Sequence, residues 1–260
     1  MIKRYLFEHL KMRVKSIRQV ISILCLVLMN YLVIFPDIKA DFEKLDVLYL
    51  FRFAYDIGSF SRLLPLLAAF VMSDIVAQDI SDNIIPFSLS RMSVNKYINT
   101  NYLSCAVSGF LTIAVGWITF IFLLRIRYPF AVSSAGNYQG YAQQPFGQWL
   151  QKDLSLVYML FYVISASICG SLWACVGLAS SAFCPNDKVA IATPFIINLL
   201  LYNVAYIATG PWHSPSDVAK YIPQANDCFT FGSMLGYFLA LHLLVYAVFR
   251  IKMIRRFAHA

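Results

Sequence analysis

The sequence predicts an all-α integral membrane protein: six transmembrane helices preceded by an N-terminal amphipathic interfacial helix, with both termini cytoplasmic. Three observations carry this. Of 260 residues, 60% are hydrophobic and only 13% charged, against about 25% charged in an ordinary soluble chain. Six apolar stretches come close to or exceed the ~20 residues a spanning helix needs. Six crossings also put the whole net charge of +8 on one side of the membrane, the asymmetry that marks a cytoplasmic face. No internal repeat or low-complexity tract divides the chain, so residues 1–260 read as a single membrane domain.

At the start, Ile2, Leu6, Leu10, Val14 and Ile17 recur at four- or three-residue spacing, an apolar helical stripe. Lys3, Arg4, Lys11, Lys15 and Arg18 lie largely off it, so residues 1–17 are expected to lie in the inner headgroup layer with their cations near anionic lipid. A plain basic leader that only sets topology is the alternative. No small-residue cleavage pattern follows, so no cleavable signal peptide is expected.

The spans fall at approximately 18–35, 60–76, 102–124, 154–183, 189–209 and 229–249. The fourth is the longest and must tilt or project. With an even number of spans, thirteen basic residues face five acidic ones inside, while the outer side balances eight with eight. Outside, 37–56 alternates acidic and aromatic residues, and 125–153 is rich in Gly, Gln, Ser and Tyr. Segment 211–228 contains three prolines, so it cannot be one continuous helix. Cys25, Cys105, Cys169 and Cys175 lie within apolar runs and read as small buried residues rather than a disulfide framework.

Catalytic chemistry is hard to place on this chain. The histidines are His9, His213, His242 and His259, and only His242 falls inside a span, with no carboxylate or thiol at metal-ligand spacing. An intramembrane serine protease would pair Ser171 on the fourth span with His242 on the sixth. Gly170 directly precedes Ser171, however, so the G-x-S spacing fails, and bulky Leu243 and Leu244 follow the histidine. No catalytic residue and no metal site are therefore assigned. Ala166, Gly170 and Ala174 form a small-xxx-small ridge, continued by Gly177 and Ser181, which reads as a packing seam within the subunit or between subunits. No glycine precedes a lysine, so no phosphate cradle of the G-x-x-x-x-G-K-[ST] type exists in this chain. Arg18 and Arg62 sit at span ends, and Asp74 lies about one turn from the cytoplasmic end of its helix, where it is expected to reach headgroup water.

Between the second and third spans stands AQDISDNIIPFSLSRMSVNKY, Ala77 to Tyr97. Gln78 to Ile85 has room for two helical turns, and Pro86 then limits continuation. Ile80, Ile84 and Phe87 are expected on one face, flanked by Asp79, Asp82 and Asn83. A short helix with an exposed apolar face on the cytoplasmic side asks for a groove in a partner.

Here the chain resembles the permease subunits of ATP-binding-cassette (ABC) transporters of the type 2 exporter class. Asp79, the Ile84–Ile85 pair with Phe87, Arg91, and the re-entry at Lys96–Tyr97 match the pattern that many bacterial members carry at this position. The basic amphipathic entry helix, the six spans and the broken outer segment before the last span extend the resemblance over the whole chain. One departure is the usual glycine of the turn, replaced in the Asp82–Asn83 region; Asn tolerates left-handed backbone. The outer segment is also short for the paired re-entrant helices of some relatives.

The resemblance implies a non-enzymatic exporter half in a bacterial cell membrane. Two such subunits, identical or paralogous, would enclose a path, and two cytoplasmic ABC ATPase subunits would grip the helix formed around Asp79, Ile80, Asp82, Asn83, Ile84, Phe87 and Arg91. ATP and Mg would be bound by those partners, with no cofactor in this chain. The second and fifth spans would line the path, which puts forward Phe70, Asn198, Tyr202, Asn203 and Tyr206; simple hydrogen bonding of the asparagines to neighbouring helices is the alternative. The apolar spans and lack of a capture domain suggest an amphiphilic cargo such as a peptide, drug or lipid-linked molecule. The basic charge reads as orientation in the bilayer rather than nucleic-acid binding. A stand-alone membrane immunity or accessory protein remains the other reading.

Overall fold

The structure, a computed structural model, describes residues 17–39, 45–57, 62–132, 136–143, 146–208, 215–221 and 231–258. The expected interfacial helix before Ile17, His9, His213, His259 and Cys228 lie outside the described residues. Most of those described are helical, with no strand among them. In chain order the helices are α1 (Ile17–Lys39), α2 (Val47–Ile57), α3 (Leu64–Phe70), α4 (Ile75–Ser81), α5 (Ile85–Arg91), α6 (Val94–Arg127), α7 (Gly136–Ala142), α8 (Gly147–Leu150), α9 (Ser155–Phe183), α10 (Asp187–Ala208), α11 (Pro215–Tyr221) and α12 (Phe231–Ala258).

Four of these, α1, α6, α9 and α12, are long and apolar enough to cross a membrane, and the bent pair α3–α4 makes up to five. At 34 residues α6 is about 51 Å long, so it outruns a hydrocarbon core of ~30 Å. The protein surface is also that of a membrane protein. Leu24, Leu28 and Leu32 on α1, and Leu239, Leu243 and Leu244 on α12, all stand exposed. Contiguous apolar faces of this extent need an apolar solvent.

The most enclosed long helix is α9, which packs against α6, α12, α10, α3 and α11. Its small residues allow this. A Cβ on Gly109 of α6 would stand 2.7 Å from the Ala174 Cβ and 3.0 Å from the Gly170 carbonyl oxygen, and one on Gly170 would meet the Ile113 side chain at 2.5 Å. The two backbones approach so closely that neither glycine has room for a methyl group. The predicted ridge of Ala166, Gly170 and Ala174 is thus buried within the subunit. Across the bundle, α1 packs on α6 through Leu26 beside Gly116 and through an edge-to-face contact of Tyr31 with Phe120.

Two segments depart from the sequence expectation. The stretch expected to form the second span is broken: α3 and α4 meet at 42°, separated by residues 71–74. The break is held by tertiary contacts, since Ser73 Oγ donates to the Ala174 carbonyl at 2.9 Å and a Cβ on Gly177 would stand only 2.7 Å from the Ser73 side chain. The outer stretch 37–56 is no simple loop, because α2 buries Val47, Leu48, Leu50, Phe51, Ala54 and Tyr55 in the main core. Within 211–228, α11 is a seven-residue helix that buries Val218 and Ala219 beside Leu172, Trp173, Met234 and Phe238.

Candidate functional site

The segment singled out by the sequence forms an elbow between α4 and α6. Helix α4 closes with paired turn bonds: Ile84 N donates to the Asp79 carbonyl at 3.0 Å and Asn83 N to that of Ile80 at 3.3 Å. This is the Schellman arrangement, which needs a left-handed residue just past the helix end. Asn83 supplies it at φ 53°, so the turn forms without the expected glycine. Pro86 acts differently from its predicted role. It stands in the first turn of α5, where its missing N–H leaves no bond unmade, and it starts the short helix rather than limiting one.

The elbow's apolar residues also divide. Ile80, still within α4, packs partly against the core, as do Leu89 and Met92. The turn therefore separates Ile80 from the face it was expected to share with Ile84 and Phe87. Those two point outward, 42% and 73% exposed. Asp82, Asn83 and Arg91 are exposed around them, and no residue of α5 is fully buried. The knob is nevertheless anchored, because Tyr97 on α6 donates its hydroxyl to Asp79 Oδ2 at 2.6 Å. This arrangement presents two apolar side chains and mixed charge on a short element joined to the seven-residue α4 and the 34-residue α6.

Behind the elbow lies an ion pair the sequence did not foresee. Arg18 Nη1 meets Asp74 Oδ2 at 2.5 Å, with the carboxylate side chain fully buried and the arginine 38% exposed. Gln78 Nε2 donates to the same oxygen at 2.8 Å, and the guanidinium lies 5.8 Å over the ring of Phe70. Asp74 thus sits buried in the break between α3 and α4 instead of reaching headgroup water, because Arg18 comes to it. The pair ties the N-terminal end of α1 to the bend.

Of the proposed path residues, Phe70 is half-buried beneath Arg18. Asn198 on α10 is buried and accepts a 2.7 Å bond from Ser216 Oγ on α11. Asn203 is exposed, and its amide nitrogen donates to the Leu199 carbonyl one turn back. The side chains of Tyr202 and Tyr206 lie outside the described residues. Asn198 and Asn203 therefore face different surroundings and do not form one polar lining.

A second polar cluster is built around α2. Arg52 of α2 is buried, pairs with Asp56 at 2.9 Å, and stacks 4.2 Å over the ring of Tyr162, with Tyr141 and Tyr158 at 5.5 and 5.9 Å. The aromatic faces offset part of its lost hydration. Burial pushes the Tyr141 hydroxyl up to about 12, so that ring stays neutral beside the guanidinium. Tyr55 Oη donates to the Ala219 carbonyl at 2.9 Å and joins α2 to α11. The sequence signal was the R-x-x-x-D spacing of Arg52 and Asp56 within an otherwise apolar and aromatic run.

The protease pairing is not assembled. Ser171 is buried on α9, while the His242 imidazole faces the Tyr102 hydroxyl, 3.1 Å from its Nδ1, and the same hydroxyl donates to the His242 carbonyl at 2.8 Å. Among the described residues, no group of three or more His, Cys, Asp or Glu side chains is arranged to hold a metal ion. No protein-family model, curated protein or solved structure matches the chain.

Proposed function

We propose that this protein is the membrane-spanning permease subunit of an ATP-driven ABC exporter of the type 2 class, working in a bacterial plasma membrane. The single observation that supports it is the elbow: an exposed Ile84–Phe87 knob between two membrane helices, rigidly fixed at its base by the Asn83 turn and the Tyr97–Asp79 bond. A helix presenting apolar side chains to water is a docking feature for a groove in a soluble partner. In this reading α10 is also a span, the bent pair α3–α4 is the second, and the total is six with the elbow cytoplasmic.

Two separate ATPase subunits would hold the two elbows of a permease pair. Their ATP-driven closure pushes α5, and the push passes into α6 through Tyr97 and into the second span through Asp79. The bend at residues 71–74 gives that span a place to flex. The cargo in this reading is amphiphilic, in keeping with the apolar faces of the long helices.

Gently solubilised membranes provide the test. The wild-type chain should copurify with a separate ATPase, and Phe87→Asp or Ile84→Asp should lose that ATPase while still inserting. Recovery of the ATPase at the wild-type level with both variants, or no ATPase with the wild type, overturns the assignment.

A further inference from the structure

Between α9, α10 and α12 runs an open groove of about 390 Å³, lined by Leu172, Val176, Ile197, Leu201, Leu244 and Val248 among others. Its two hydroxyl groups are already satisfied: Ser180 donates to the Gly177 carbonyl and Thr193 to that of Val189. The groove therefore asks for hydrocarbon. From Leu172 to Phe183 it follows α9 over a rise of about 16 Å, close to one leaflet of a hydrocarbon core ~30 Å thick. Its volume lies in the ~300–1,000 Å³ range of small-ligand sites.

The end of the groove at Phe183 and Val248 is basic. Lys252, one turn beyond Val248 on α12, holds its Nζ 5.0 Å from the centre of the Phe183 ring. A further turn on, Arg256 Nη1 donates to the Ala182 carbonyl at 3.1 Å. Lys188 enters in the first turn of α10, beside exposed Asp187. Among the described residues, no carboxylate lies within ion-pairing distance of Lys252, Arg256 or Lys188.

We propose that this groove binds one acyl chain of an anionic phospholipid of the cytoplasmic leaflet, with its phosphate held by Lys252 and neighbouring Arg256 and Lys188. The apolar groove does not select among lipids, because every tail is as apolar as its walls. Selection comes from the headgroup, at roughly fivefold for each basic residue near the phosphate. A second copy of the chain is a poor occupant. Copies related by an axis along the membrane normal would bring their own Lys252 and Arg256 to the same depth, setting cation against cation.

Native mass spectrometry of the purified full chain, titrated with phosphatidylglycerol and phosphatidylcholine of identical tails, tests this without any ATPase or transport. Its outcome is therefore separate from that of the exporter reading. The wild type should retain one phosphatidylglycerol with roughly tenfold preference or more. Lys252→Gln should lower that preference severalfold. Val248→Trp, which fills the groove and leaves the cations in place, should lower retention of both lipids; Leu201→Trp fills it from the opposite wall if the first variant does not fold. Equal retention of the two lipids by the wild type overturns the proposal, as does unchanged phosphatidylglycerol binding in the tryptophan variants. Cross-linking of two copies through Leu244→Cys in a Cys184→Ser background also overturns it, by assigning the groove to a subunit interface.

Discussion

The hydroxyl of Tyr97, in the first turn of α6, lies 2.6 Å from Asp79 Oδ2 near the end of α4, bridging the two helices that flank the exposed elbow. Eighteen residues separate them, and the intervening loop carries no fully buried side chain between Asp79 and Tyr97. This one bond therefore closes the base of the knob. Hydrogen bonds to a charged acceptor contribute about 1.5–3 kcal/mol where they are shielded.

Tyr97→Phe keeps the ring against Phe257 and removes only the hydroxyl. It should leave insertion intact and lower overall stability by no more than about 1.5–3 kcal/mol. Amide exchange over 82–93 should rise severalfold, and partner ATPase recovery should fall. Unchanged exchange in the elbow would show that the bond does not hold it.

Asn83 occupies a left-handed position at φ 53°. Asn83→Gly should be neutral or slightly stabilising, whereas Asn83→Val should cost about 1–2 kcal/mol, since a β-branched side chain crowds the carbonyl there. Thermal unfolding of the two variants in the same detergent measures the difference. A valine variant as stable as the glycine variant would rule out the left-handed turn.

The Arg18–Asp74 pair is lopsided, with a buried carboxylate and a half-exposed guanidinium. Arg18→Ala strands the carboxylate beside Gln78 and should cost on the order of 3 kcal/mol. Asp74→Asn releases an arginine that can turn to water, and should cost less. The double variant Arg18→Ala with Asp74→Asn should recover part of the loss in melting temperature. If Asp74→Asn were the more damaging single change, the buried carboxylate would not be what the pair protects.

Gly109 and Ala174 meet at the α6–α9 crossing. Gly109→Ala should force the helices apart at a cost of about 1–3 kcal/mol. Adding Ala174→Gly removes the 2.7 Å clash but not the approach to the Gly170 carbonyl, so the double variant should regain only part of the lost stability. Full loss in the double variant would place the crossing elsewhere.

Asp46 precedes α2, accepting from Tyr49 N at 2.6 Å and Val132 N at 2.8 Å. Asp46→Ala should cost about 1 kcal/mol as a lost helix cap. Burial raises the Asp46 carboxyl above its ordinary 3.8, so the folded protein holds that proton more tightly than the unfolded chain. Its contribution to stability is therefore greatest at low pH and declines as pH rises from about 3.8 through the raised folded value. The melting temperature of Asp46→Asn relative to wild type should climb across that interval. A falling difference would reverse the assigned direction.

Much of the membrane architecture was legible because it depends on local composition. The apolar runs marked α1, α6, α9 and α12, and the Ala166–Gly170–Ala174 spacing marked the helix that others pack against. Asn83 was readable as the residue that bends the elbow, since few residues tolerate positive φ. The break between α3 and α4 was not readable. Residues 71–74 look like continuing helix, and their geometry depends on the Ala174 carbonyl and on Gly177, about a hundred residues away. Ile80 was grouped with Ile84 and Phe87 by spacing alone, but a Schellman turn resets the helical phase between them. Arg52 was counted as an outer charge, whereas its neighbours Tyr141, Tyr158 and Tyr162 come from elements a hundred residues distant.

By itself the sequence determined the solvent: a chain with 60% hydrophobic residues and 13% charged ones must place its long apolar helices where the surroundings are equally apolar. It also determined where two backbones approach without side chains and where one residue turns left-handed, since both are properties of individual residue types. Only the tertiary structure decided where the buried charges go. Whether Asp74 and Arg52 face water or protein depends on what is packed against them, and a carboxylate or guanidinium leaves water only where a partner from a distant segment offsets its lost hydration.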